Sequence, residues 1–95
     1  MDGKSAGLAD AYQLAAREIA CVQRLPWGDL EPRENAPWLF GSGEIAALAD
    51  ARGALTIVDG YDGNPAVKMV IVALEWIHRR QGRRAVRLVT FVTQA

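Results

Sequence analysis

Of the twelve positions from Ala66 to Ile77, only Lys68 and Glu75 are not apolar. As a helix, a segment of that composition is apolar around most of its circumference and has to be covered on more than one side. Ahead of it, Asn64 suits a helix N-cap and Pro65 the first helical position, and Gly82 suits a C-terminal stop. These signals predict a helix from Pro65 to Gln81. Lys68 and Glu75 lie seven apart and share one narrow polar stripe, which Arg79 extends. The β-branched run of Val70, Ile71 and Val72 permits a buried strand instead. With only a two-stranded sheet and two other helices to cover such a helix, the 95-residue chain holds more apolar surface than one copy readily hides.

Leu8, Tyr12, Ala15, Ile19 and Val22 recur at helical spacing and predict an amphipathic helix from about Ser5 to Arg24, stopped by Pro26. Between residues 26 and 43, Pro26, Pro32, Pro37, Gly28, Gly41 and Gly43 disfavour long regular structure. The same stretch holds Trp27, Trp38, Leu39 and Phe40, which either lid the core or project as anchors for a partner protein. The acidic run from Asp29 to Glu34 is expected to stay in water. A short helix is expected from Ser42, its N-cap, to a stop at Gly53, with Ile45, Ala46, Leu48 and Ala49 on its buried side.

Ala54 to Val58 reads as a short strand and Asp59 to Asn64 as a turn cluster. Ala85 to Thr93 reads as a strand with apolar groups on both faces. With a helix between them, the two strands are expected to pair in parallel through a right-handed crossover. The expected fold is one α+β domain over residues 1–95, with three helices and a small two-stranded sheet in the order α-α-β-α-β, completed by dimerisation. The dimer contact is expected at Val70, Leu88, Val89 and Phe91, through edge-to-edge strand pairing or through the third helix.

Eleven basic residues balance eleven acidic ones, so no global field draws the molecule to nucleic acid or membrane. The balance is uneven along the chain. Residues 1–62 carry five Lys/Arg against ten Asp/Glu, and residues 63–95 carry six against one. Arg79, Arg80, Arg83, Arg84 and Arg87 form a basic patch that suits an acidic protein surface. A nucleic-acid-binding module built on the Arg79–Arg87 cluster is the alternative, although no recognition motif accompanies it.

Catalytic chemistry has little to work with. His78 is the sole histidine and Cys21 the sole cysteine, so neither a His–His metal pair nor an internal disulfide is available. Asp59, Asp62 and Asn64 lack the alternate spacing of a calcium loop. Gly41 to Ala46 fits a G-x-G-x-x-A pattern, which leaves a small nucleotide- or ligand-binding domain using the Gly41–Gly43 loop as a second alternative. Ser42 lacks the flanking glycines of a nucleophile elbow, since Phe40 and Glu44 stand there. The expectation is a protein with no enzymatic activity, no cofactor and no metal. The N-terminal residues lack the apolar stretch of a secretory signal, which points to the cytoplasm.

The stretch from Ala11 to Trp27, followed by Pro37, Trp38, Leu39 and Phe40, resembles the small pseudomonad antiactivator family typified by QslA. The resemblance is one of overall layout and length. It implies a homodimeric adaptor in quorum sensing that binds a LuxR-type transcriptional activator and blocks its dimerisation or DNA binding.

Overall fold

The computed structural model describes residues 8–48 and 50–94. A long helix, α1 (Leu8–Gln23), precedes a four-stranded sheet of β1 (Arg33–Ala36), β2 (Arg52–Asp59), β3 (Val67–His78) and β4 (Gly82–Thr93). A single helical turn, α2 (Ser42–Ile45), lies between β1 and β2, and 3-10 turns occupy Trp27–Asp29 and Tyr61–Gly63. The strands run β1-β2-β3-β4 across the sheet, and every neighbouring pair is antiparallel. The fold is therefore α+β, but the expected three helices around two parallel strands are overturned. Residues 65–81 form a strand and a hairpin turn, and no crossover connects the last two strands.

The reason lies in what flanks that apolar run. A segment apolar on every side has no period of its own, so its partners decide its conformation. On one side β2 pairs with β3 from Arg52↔Glu75 to Asp59↔Lys68, and on the other β4 pairs from Val67↔Thr93 to His78↔Gly82. Both flanks thus saturate the β3 backbone, and the β-branched residues sit where their stiff side chains cost least. Gly82 closes the hairpin with φ +74, a left-handed conformation that glycine adopts without strain. Asn64 does use its capping chemistry, but in a turn, its Oδ1 accepting from the Ala66 N–H at 2.9 Å.

β3 then alternates. Lys68, Val70, Val72, Leu74 and Trp76 point into the core, and the residues between them face the other way. Against the inner side lies α1, which buries Ala11, Ala15, Glu18 and Val22. Tyr12, expected on that stripe, is exposed. Alanines at the contact let the helix approach the sheet closely, and Leu14 and Ile19 pack beside them. The start of the expected helix at residues 5–7 and the Ala49 position of the second helix lie outside the described residues.

The second helix is a single turn, Ser42–Ile45, and β2 begins at Arg52, which places Gly53 in the strand. There the missing side chain matters. A Cβ on Gly53 would lie 2.7 Å from both Trp38 Nε1 and Ile45 Cδ1, so only glycine lets the indole lie across β2. Trp38 is 4% exposed and donates its indole N–H to the Ala73 carbonyl at 3.0 Å. The ring lids the core. β1, four residues without a large apolar side chain, was not expected at all, and it forms because β2 offers an edge to pair with.

Candidate protein-binding face

Three polar devices tie everything that covers the sheet to one side of it. Glu18, 1% exposed on α1, accepts hydrogen bonds from the backbone N–H groups of Leu39 (2.8 Å), Phe40 (3.2 Å) and Gly41 (2.7 Å). Its negative charge is thereby matched by three amide dipoles that would otherwise face a protein interior. The Trp38–Ala73 bond is the second device. Lys68 is the third: its Nζ donates to the carbonyls of Leu30 (2.6 Å) and Trp27 (3.1 Å), lies 3.4 Å from Asp59 Oδ1 and sits 4.6 Å from the Trp27 ring centroid. A buried ammonium with that many partners is a strut, and its donors are already spent.

Among the described residues, nothing comparable covers the opposite side of the sheet. Cross-strand rows there run Val58–Met69–Phe91 and Thr56–Ile71–Val89. Val89 is 47% and Phe91 48% exposed, Val58 is exposed, and Met69 and Ile71 are half-buried by their neighbours alone. Tyr61, from the turn after β2, sets its ring 4.8 Å from that of Phe91 and extends the patch. Further along the hairpin the face turns charged, with Arg52, Arg83, Arg87 and Glu75. Arg83 lies 3.4 Å from Glu75 there. The result is an apolar area with a charged rim, the general anatomy of a protein contact surface.

The residues singled out from the sequence scatter across this architecture. Val89 and Phe91 lie on the open face, while Leu88 is half-buried on the inner side and Val70 is wholly enclosed in the chain's own core, where a second copy cannot reach it. Trp38 is core, whereas Leu39 and Phe40 are exposed on the loop pinned by Glu18, away from the open face. Trp27 is half-buried over Lys68. Arg79 and Arg80 sit at the hairpin tip, Arg83 and Arg87 face outward, and Arg84 faces inward, so the five arginines share one end of the molecule but not one surface. His78 accepts the Arg80 N–H at its Nδ1 (3.1 Å).

The glycine loop is occupied by its own chain. The Gly41 N–H that would cradle a phosphate donates instead to Glu18, whose carboxylate would also repel one. Among the described residues, no group of three or more His, Cys, Asp or Glu side chains could hold a metal, and Cys21 is a free thiol. Val58, Tyr61, Met69 and Ile71 were missed as surface residues. Their signal was the i, i+2 alternation through Met69 and Ile71, masked because the residues between are apolar too. No family model, curated protein or solved structure matches the chain. No helix among the described residues is long and apolar enough to cross a membrane.

Proposed function

We propose that the protein is a non-catalytic interaction module that self-associates and holds a second protein against the open face of its sheet. One observation carries this reading: Val58, Met69, Ile71, Val89 and Phe91, with Tyr61, form an apolar surface that no described helix covers. Burying such a surface contributes about 25 cal/mol for each Å² removed from water, so a partner with a matching apolar patch has a clear gain. Its charged rim would set register and orientation. The partner we propose is a LuxR-type transcriptional activator whose dimerisation or DNA binding is thereby blocked, on the strength of the sequence resemblance alone.

A purified LuxR-type activator from the same organism tests this, with its retardation of operator DNA as readout. Adding the protein is expected to abolish retardation in proportion to its concentration, and Ile71→Asp is expected to lose that effect while staying folded. Undiminished DNA binding at saturating protein would reject the activator as partner. Equal potency of Ile71→Asp would reject the open face as the contact.

A further inference from the structure

The two outer strands of the sheet are guarded very differently. β1 is four residues long, has an irregular register against β2 and carries Arg33 and Glu34. Its Asn35 is left-handed at φ 49, and Pro32 and Pro37 flank it. Short length, irregularity, charge and proline are the devices that keep a strand edge from recruiting another chain. β4 is twelve residues long and in unbroken register with β3, with no proline. Its three arginines all lie at or before Arg87, so Leu88 to Thr93 is an unguarded run of Leu, Val, Thr, Phe, Val and Thr. Among the described residues nothing pairs with its outer side.

The hydrogen-bonding direction of that edge can be read. One step beyond the Val67↔Thr93 pair, the Gln94 N–H donates to the Ala66 carbonyl at 2.8 Å. Hydrogen-bonded and non-bonded pairs alternate along an antiparallel ladder. The even-numbered residues of β4 therefore turn their N–H and C=O groups to β3. Ala85, Arg87, Val89, Phe91 and Thr93 turn theirs outward.

We propose that this edge pairs with the β4 edge of a second copy, antiparallel about a twofold axis, joining the two four-stranded sheets into one. An axis between Leu88 and Thr90 keeps Arg83 of one copy far from Arg83 of the other, since antiparallel pairing sends the two basic ends in opposite directions. It carries those basic ends towards the Thr93 end of the other copy. There Asp62 is exposed beside Tyr61, which stacks on Phe91. The pairing thus keeps the two basic ends apart and sets each beside an end of the other copy whose exposed turn carries an acidic residue. The two open faces also become one, with the Val89 and Phe91 positions of both copies near the axis. This proposal specifies the self-association half of the proposed function and leaves its partner-binding half standing independently.

Sedimentation equilibrium combined with amide hydrogen exchange by NMR on the intact protein tests it. In the dimer, exchange at Ala85, Arg87, Val89 and Phe91 is expected to slow by roughly tenfold or more relative to dilute protein. In a monomer, protection should alternate along β4 and be confined to the even-numbered amides. Arg87→Pro removes an outward N–H and no bond to β3, so it should weaken self-association by roughly tenfold or more without unfolding the chain. A monomer at every concentration, or a dimer with fast exchange at those amides, overturns the proposal. So does concentration-independent protection of those amides in a monomer. Ile71→Asp, on the central strand, is expected to stay dimeric while losing partner binding, so the two proposals fail separately.

Discussion

The two faces of β3 are made from the same kind of residue and meet opposite fates. Val70, Val72, Leu74 and Trp76 are almost completely enclosed, while Met69 and Ile71, their immediate neighbours in sequence, face a surface that no described helix covers. Hydrophobicity does not separate them. What separates them is that α1 and the residue 25–48 connection lie on one side, held there by Glu18, Trp38 and Lys68. The polar groups with directional demands lie on the covered side, where they hold these segments over the apolar residues. An apolar side chain is core only where something is tethered over it.

Four substitutions would break or sharpen that contrast. The largest loss is expected from Trp76→Ala on the covered face, about 3–5 kcal/mol by denaturant titration, because a full indole leaves a cavity. That is a large fraction of the stability of a small domain, so the variant should unfold at a much lower denaturant concentration. Glu18→Ala comes next, at about 3 kcal/mol, since three part-buried backbone N–H groups lose a charged acceptor together. Faster amide exchange at Leu39, Phe40 and Gly41 should accompany it.

Gly53→Ala is expected to cost about 1–3 kcal/mol, because the new methyl group displaces Trp38 and Ile45. Its tryptophan fluorescence should shift towards that of a more solvated ring. The smallest effect belongs to the open face: Ile71→Thr should change the stability by about 0.5 kcal/mol or less in dilute protein, read from denaturant titration. A loss from Ile71→Thr as large as that from Gly53→Ala would mean that the second face is covered in solution and the contrast is false.

Parts of this arrangement were legible in the sequence. The helical spacing near the N-terminus located α1, and the Asp59–Asn64 cluster located the turn. The β-branched tail marked β4, and with it Val89 and Phe91. Even there the helix face shifted, because the small residues Ala11 and Ala15 are buried while the larger Tyr12 faces solvent. Tight approach to a sheet favours small side chains over large ones, which a stripe of hydrophobic residues does not reveal. Trp38 could not be assigned between lid and anchor, since its burial depends on Gly53 in another strand. Met69 and Ile71 were hidden inside a helix that did not form.

The sequence by itself determined that residues 66–77 supply the apolar centre of the domain, that Pro26 ends the first helix and that the chain reverses between Asp59 and Asn64. These follow from hydrophobicity and from local backbone chemistry, which act within a few residues. Only the tertiary structure decided that the apolar segment is a strand, which of its faces is core, and which edge of the sheet is left unguarded. An apolar run satisfies burial equally well with a period of two or of 3.6. The choice falls to hydrogen-bonding partners far away in the chain, in β2 and β4, and to the tethers that seat α1 on one side alone.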